Sequence, residues 1–187
     1  MIEQKQGLDR PMKRRMAINA ITTNTGLFQF RTDELTNYHV DALKDAIGRG
    51  NELDALDVWE DPKSGKLIVI DGHHRLAAYL KAGHKQKIAV LIHRCTQKQA
   101  RLLALEGNAK TRLPMTPEER YEAAWTLDSE GGYSKAEITK YTGVGDGTVA
   151  AMRRAMKQFK DAGDEVPTSW YEAKMLMKGW ETFAGSV

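Results

Sequence analysis

Residues Lys66 to Gly83, KLIVIDGHHRLAAYLKAG, decide the fold of this chain. The β-branched run Lys66–Ile70 is typical of a short buried strand. Asp71 and Gly72 interrupt it, because glycine reaches backbone angles that other residues avoid. Apolar side chains then recur at helical spacing, so the stretch predicts a strand, a tight turn and a helix.

The predicted helix begins at His73, directs Leu76, Leu80 and Ala77 inward, and ends at Gly83 as its C-terminal cap. A helix that starts directly after a glycine turn presents free backbone N–H groups and the positive end of its dipole. These two features together form an anion site.

Three potential cations, His73, His74 and Arg75, stand in the first turn of this helix. Cations are usually unfavourable at a helix N-terminus, and a bound phosphate would account for them. We therefore predict a phosphate site at Gly72–Arg75. The alternative is an ordinary strand–glycine–helix turn that carries surface histidines.

The segment GHHRLAAYLKAG resembles the phosphate-binding motif of the ParB/sulfiredoxin superfamily, in which Gly-x-x-Arg-x-x-Ala follows a strand and opens a helix. Gly72, Arg75 and Ala78 match that motif. Sulfiredoxins carry a catalytic cysteine two residues before the arginine, where this chain has His73, so sulfinic acid reduction is not expected. The resemblance implies an α+β chain: a small mixed-sheet ParB/sulfiredoxin-like domain, then an all-helical domain like a helix-turn-helix.

Composition excludes several classes of protein. The chain has 187 residues and 41% hydrophobic residues, enough for one large domain or two small ones. It has no apolar run of about 18 residues and no apolar signal core, so we expect a soluble cytoplasmic protein without membrane contact. The single Cys95 excludes an internal disulfide and a two-cysteine metal site. A net charge of +3 permits nucleic acid as a partner without requiring it.

Residues 1–20 carry five lysines and arginines with few acids, and they predict a basic N-terminal arm. Arg14 and Arg15 in this arm are candidate DNA contacts, and a solvated tail is the alternative. The nucleotide-binding domain is predicted at residues 21–113. Besides the opening stretch, its expected elements are strands at Leu27–Arg31, Leu56–Trp59 and Ile88–His93 and helices at Tyr38–Gly50 and Gln97–Glu106.

A second stretch, GNAKTRLPMT from Gly107 to Thr116, resembles the segment that follows the nucleotide-binding fold in ParB-like regulators of the streptomycin-regulator type. Its pattern there is Asn-x-basic-x-x-Leu-Pro-Leu-Thr. The resemblance implies that Asn108 and the basic Lys110 contact a nucleotide or its metal-linked phosphates. Arg112, which stands outside the matched positions, could close over the phosphates together with Lys110. Partition-type ParB proteins carry Glu-Asn-x-Gln-Arg instead, so both ATP and CTP stay open. The alternative is that Gly107 and Asn108 only cap the preceding helix.

The helical domain is predicted at residues 114–187, with a helix-turn-helix-like segment at 133–160. That segment has a short helix, a turn containing Gly143 and a second helix capped by Asp146, and it resembles the corresponding part of ParB-like proteins. Six lysines and arginines against two acids make it locally positive. Its candidate DNA contacts, mostly to the backbone, are Thr148, Arg153, Arg154 and Lys157. A helical pair used only for packing or protein contact is the alternative.

The last predicted helix carries Trp170, Ala173, Met177 and Trp180 on one stripe. Such a stripe suits a core, a protein partner or a homodimer contact.

The resemblance implies a nucleotide-hydrolysing protein that acts on DNA, of the plasmid or mobile-element type that serves partition, conjugation control or fertility inhibition. DNase activity is a further activity that the resemblance leaves open. Asp71, His73, His74, Arg75 and Glu106 are the candidate catalytic residues. In this scheme Arg75 neutralises phosphoryl charge, the histidines exchange protons, and Asp71 or Glu106 activates water or binds Mg²⁺. No firmer metal site is expected. The alternatives are a non-enzymatic helix-turn-helix regulator or adaptor, and an inhibitor that acts by protein contact.

Overall fold

The computed structural model describes residues 10–28, 37–110 and 115–184, with backbone only at 108–110 and 179–184. The chain divides into two compact units, residues 1–111 and 112–187. The first unit is built on strands β1 (Met12–Met16), β2 (Ile21–Thr22), β3 (Leu56–Glu60), β4 (Leu67–Asp71) and β5 (Ile88–His93). Its helices are α1 (Thr25–Phe28), α2 (Asn37–Gly48), α3 (His73–Lys81) and α4 (Gln97–Lys110), with a 3₁₀ helix at Ile18–Ala20.

The five strands form one mixed sheet in the order β1-β5-β3-β4-β2. Strands β1 and β5 are antiparallel, as are β3 and β4, whereas β3 is parallel to β5 and β2 is parallel to β4. Strands β3 and β4 form a hairpin. Asp61 stabilises its turn by accepting hydrogen bonds from the backbone N–H of Lys63 at 3.0 Å and the hydroxyl of Ser64 at 2.5 Å. The mixed sheet and the α+β class are confirmed.

Both faces of the sheet are covered, because apolar side chains alternate to each side of the strands. One face packs Leu56, Val58, Val69, Ile88 and Val90 against Leu76 and Tyr79 of α3. The other face packs Trp59, Ile68 and Ile70 against Phe28 of α1 and Ala100 and Ala104 of α4. The sheet therefore separates α3 from α4, and the ends of its strands are where the two layers can contribute to one site.

The basic N-terminal segment differs from the expected arm, because Met12–Met16 is an edge strand of the sheet. Met12 and Met16 are partly buried against the core, while the three basic residues between them are exposed. Arg15 pairs with Glu52 at 2.6 Å and also donates to the backbone carbonyl of Lys87. Exposed charges suit an edge strand, since they oppose pairing with another chain.

Three other predictions for this unit need correction. Thr25–Phe28 is a helical turn, whereas we expected a strand from Leu27 to Arg31, of which residues 29–31 lie outside the described residues. Leu80 is 61% exposed, because the inward stripe of α3 passes through Leu76 and Tyr79. Helix α4 runs on past Glu106 to Lys110, so Gly107 does not end it.

The second unit consists of α5 (Pro117–Glu130), α6 (Lys135–Thr142), α7 (Asp146–Ala162) and α8 (Trp170–Ala184). Capping boxes at Thr116 and Ser134 open α5 and α6, and Gly143 ends α6 in the left-handed region at φ 72°. The N-cap of α7 is Gly145 rather than Asp146, whose carboxylate lies in the first turn and pairs with Lys135 at 2.5 Å. The helical character predicted for this unit is confirmed.

Trp125 is the centre of the second unit, with no exposed surface. Its indole N–H donates to the carbonyl of Pro167 at 2.9 Å, and its ring lies 5.2 Å from that of Trp170. Ala173 is also fully buried, so this part of the α8 stripe belongs to the core. Among the described residues, no helix is long and apolar enough to cross a membrane.

Candidate functional site

The turn after β4 is formed as the sequence predicted. Gly72 has φ 102° and ψ 25°, in the left-handed region, and α3 begins at the next residue. The first helical bond runs from the N–H of Leu76 to the carbonyl of Gly72 at 2.9 Å. A Cβ atom at Gly72 would lie 2.6 Å from Cδ2 of Leu56 and 3.0 Å from Nη2 of Arg75. Both the backbone angle and the space therefore require glycine.

Arg75 holds this corner of the unit together. Its guanidinium donates to the carbonyls of Asp54, at 3.1 Å, and Ala55, and to Oδ2 of Asp71 at 2.7 Å. The side chains of Arg75 and Asp71 are only 21% and 23% exposed. Three of its five N–H groups are thus engaged by the chain, so Arg75 positions the turn, and its phosphoryl-neutralising role stays a prediction.

The two histidines of the turn have different surroundings. Nε2 of His73 is buried and has no hydrogen-bond partner among the described residues. Burial lowers the pKa of His73 below 6.5, and the negative charge of Asp71 only partly offsets this effect. The ring of His74 lies edge-on to that of His39, with centroids 5.2 Å apart. His73 is therefore a neutral imidazole near physiological pH.

The lowered pKa of His73 makes stability depend on pH. Below about pH 6.5, His73 becomes protonated in the unfolded chain but stays neutral in the folded chain. The free energy of unfolding therefore falls as the pH drops. We expect His73→Gln to lose less stability than the wild type between about pH 7.5 and about pH 5.5. Urea unfolding at both pH values checks this, and an equal loss in the two proteins would contradict it.

A cavity of about 460 Å³ lies beside the turn, between the sheet and α4. Its polar lining consists of Asp57, Asp71, His93 and Glu106, and its remaining lining residues are Ile70, Leu103 and Gly107. A Cβ atom at Gly107 would lie 3.3 Å from Cβ and Cγ of Asp71, so α4 approaches the turn closely at this point. The structure thus brings together Asp71 and Glu106, two of the predicted catalytic residues.

The sequence interpretation missed a histidine–aspartate pair in the wall of this cavity. Nε2 of His93 lies 2.7 Å from Oδ1 of Asp57, and His93 is only 8% exposed. In the register of the parallel strands β3 and β5, Asp57 lies opposite Leu91. His93 is two residues beyond Leu91, so its side chain is on the same face of the sheet as that of Asp57. The available signal was a histidine at a buried position of an apolar strand, but its partner is 36 residues away.

The second predicted stretch lies partly at the cavity. Asn108 and Lys110 belong to the last turn of α4, directly after Gly107, and their side chains are outside the description. Arg112 lies outside the described residues. Their contacts with a nucleotide stay a prediction.

No group of three metal-ligating side chains occurs in residues 10–28, 37–110 and 115–184. Asp71 and Glu106 nevertheless line one cavity, and Mg²⁺ commonly takes only one or two carboxylates together with phosphate oxygens and water. The residues present therefore fit a Mg²⁺ ion that arrives with a phosphorylated ligand.

The candidate DNA contacts on α7 divide into two groups. Arg154 and Lys157 are exposed, although Lys157 pairs with Asp161, and Thr148 is half-buried. Arg153 instead donates from Nε to Asp128 at 2.9 Å and from Nη2 to the carbonyl of Tyr133 at 3.1 Å. The Asp128 side chain is only 5% exposed, whereas that of Arg153 is 42% exposed, so Arg153 stabilises the unit through Asp128 and its contact with DNA stays a prediction.

The two candidate DNA contacts on β1, Arg14 and Arg15, also differ in the contacts that they make. Arg14 is exposed, and within the described part of the chain its one hydrogen bond is from Nε to Sδ of Met12, at 3.1 Å. Arg15 is held against Glu52 and Lys87, so Arg14 is the freer of the two for a phosphate.

The family-model comparison identifies the fold's relatives. The model described as the ParB N-terminal domain matches residues 3–109. The chain belongs to the ParB N-terminal domain family. The superfamily predicted from the glycine–arginine motif is thereby confirmed, and no curated protein matches the chain.

Solved structures agree with this family. The pNOB8-like ParB N-domain is 15% identical, with 89% of this chain and 75% of that chain covered at a TM-score of 0.52. The C-terminally truncated chromosome-partitioning protein ParB from Caulobacter crescentus, complexed to the centromeric parS site, is 16% identical, with 89% and 92% covered at 0.51. The same truncated protein complexed with CTP-gamma-S is 17% identical, with 81% and 86% covered at 0.46.

Proposed function

We propose that this chain binds a nucleoside triphosphate, ATP or CTP, with Mg²⁺ at the turn after β4, and hydrolyses it while acting on DNA. One observation carries the proposal: α3 begins at a left-handed glycine directly after Asp71, whose carboxylate lines a 460 Å³ cavity with Glu106. Helix N–H groups favour phosphate oxygens, and carboxylates favour the Mg²⁺ that accompanies them. Acidic side chains alone would repel the triphosphate, so the metal is part of the proposal.

In this proposal the residues at the turn have different roles. The first N–H groups of α3 bind phosphate oxygens, and Asp71 and Glu106 hold the ion, which neutralises charge on the phosphates when bound. Arg75 keeps Asp71 and the 54–55 backbone in place. His73 supplies a neutral ring nitrogen at the start of α3, and His74, Asn108, Lys110 and Arg112 are further candidates for phosphate contact.

On DNA, the proposal uses α6 and α7 as a helix-turn-helix-like element. Exposed Arg154 and Lys157 would contact phosphates, with Thr148 at the start of α7 and Arg14 as further contacts. Such contacts favour backbone binding over base reading. We place this activity in the cytoplasm, in partition, conjugation control or fertility inhibition of a plasmid or phage, with DNA nicking as a second reaction of the same cavity. Any homodimer or protein partner would use α8, where Tyr171, Met175 and Leu176 are exposed.

Incubation of the purified chain with ATP, CTP and plasmid DNA, with and without Mg²⁺, tests the proposal by following phosphate release and nicking together. We expect Mg²⁺-dependent phosphate release from one nucleotide. Asp71→Asn should reduce it about 10²-fold or more, because the ion loses a charged ligand.

The matched control is Asp41→Asn, which removes a carboxylate that pairs with Lys81 at 2.6 Å outside the cavity. Its turnover should equal that of the wild type. Equal turnover in Asp71→Asn, with an unchanged circular dichroism spectrum, would reject the assigned site.

A second candidate function is a non-enzymatic helix-turn-helix regulator or adaptor. The observation that favours it is the engaged guanidinium of Arg75, which leaves the turn with less positive charge for a triphosphate than the motif suggests. This function predicts salt-dependent binding to one preferred DNA sequence and no phosphate release from either nucleotide.

A further inference from the structure

The pair formed by Asp57 and His93 has no part in the site as the glycine–arginine motif defines it. The two side chains come from neighbouring parallel strands, β3 and β5, and face the same cavity as Asp71 and Glu106. The Nε2–Oδ1 distance of 2.7 Å is that of a strong hydrogen bond. His93 is almost fully buried, whereas the Asp57 side chain is 29% exposed.

This hydrogen bond sets the tautomer of the imidazole. An ionised carboxylate only accepts hydrogen bonds, so Nε2 of His93 carries the hydrogen that Asp57 binds. The lone pair then lies on Nδ1, to which none of the described residues donates a hydrogen bond. A neutral imidazole fixed in this way by a carboxylate is a competent proton acceptor.

The other polar groups of the cavity suit different tasks. They are Asp71 of β4, which Arg75 of α3 neutralises, and Glu106 of α4. Both are carboxylates, which suit a cation, whereas His93 is the imidazole of this lining, the side chain that most often serves as a general base. The cavity thus combines acids on the side of the turn with a base on β5.

We propose that His93, oriented by Asp57, is the general base that activates the water in the nucleotide hydrolysis proposed above. Nδ1 takes a proton from the water as its oxygen bonds to the γ-phosphorus. The bond from phosphorus to the β–γ bridging oxygen breaks, and its electron pair stays on the departing nucleoside diphosphate. Asp57 stabilises the imidazolium, which then passes its proton to phosphate or solvent. The inference rests on the proposed function, because it names the base of that reaction.

Three variants of the full chain test the inference: His93→Gln, Asp57→Asn and Asp57→Glu. Their rates of phosphate release are measured across pH, and their affinities for a non-hydrolysable nucleotide are measured separately. We expect His93→Gln to lower the maximal rate about 10²-fold or more at unchanged affinity. The wild-type rate should fall at acid pH once the imidazole is protonated, since an imidazolium accepts no proton, and His93→Gln should lack this dependence. Asp57→Asn should also be slow, and Asp57→Glu should recover part of the rate.

The control is Glu60→Gln, because Glu60 is a strand β3 carboxylate that pairs with Arg94 at 2.5 Å and lies outside the cavity lining. It should keep the wild-type rate and pH profile. A His93→Gln protein that retains the wild-type rate and acid limb would overturn the inference while leaving hydrolysis intact, whereas a wild type without phosphate release would overturn the proposed function itself. If His93→Gln does not fold, the Asp57 variants test the inference. Rates of phosphate release in Asp57→Asn and Asp57→Glu that equal the wild-type rate would also overturn the inference.

Discussion

Gly72→Ala is expected to destabilise the first unit by roughly 2–4 kcal/mol. A side chain at φ 102° sits in the left-handed region, which costs an L-residue about 1–2 kcal/mol. The new Cβ would also lie 2.6 Å from Leu56 Cδ2, and Leu56 has no exposed surface into which it could move. Chemical denaturation of the full chain measures the loss.

Gly83→Ala separates the two causes. Gly83 also has positive φ, at 61°, but no atom lies within 4 Å of a Cβ placed there. Gly83→Ala should therefore lose only the backbone contribution, about 1–2 kcal/mol. Equal losses at the two positions would mean that the packing of Leu56 against the turn contributes nothing.

Arg153→Ala is expected to lower the stability of the second unit by roughly 1–3 kcal/mol, because the buried Asp128 carboxylate loses its hydrogen-bonding cation, which is itself 42% exposed. Asp128 is held at 2.9 Å by Arg153, and its Oδ2 is already buried with no hydrogen-bond partner among the described residues. The next residue, Arg154, is exposed. Arg154→Ala should leave the unfolding free energy within about 0.5 kcal/mol of the wild type.

For DNA affinity we expect the opposite order, with a larger loss in Arg154→Ala than in Arg153→Ala. Arg154→Ala should weaken binding to a plasmid fragment and reduce its salt dependence by about one unit of slope, as expected for the loss of one phosphate contact. Fluorescence anisotropy at several salt concentrations measures both quantities. A stable Arg153→Ala protein with weakened DNA binding would show that Arg153 faces DNA after all.

The elements that could be predicted from the sequence are those that obey local rules. The turn at Gly72 and the capping boxes at Thr116 and Ser134 are set by residues within three or four positions of each other. The β3–β4 hairpin follows in the same way from the turn at Asp61.

The parts that could not be predicted depend on residues far apart in the chain. Arg153 looked like a free cation because Asp128 is 25 residues away. The carbonyls of Asp54 and Ala55 that accept from Arg75 are 21 and 20 residues away. They directly precede strand β3, and no local sequence pattern specifies which strands pair with β3. His93 and Asp57 meet only because β5 lies beside β3 in parallel.

The placement of the tryptophans has an optical consequence. Trp59 is buried in the first unit against Phe28, while Trp125 and Trp170 are buried against each other in the second. Tryptophan emission shifts when burial is lost. Replacing Trp59, or instead Trp125, Trp170 and Trp180, with phenylalanine would leave tryptophan in one unit alone, whose melting it then reports. Such chains would reveal whether the two halves melt at one temperature or in two steps.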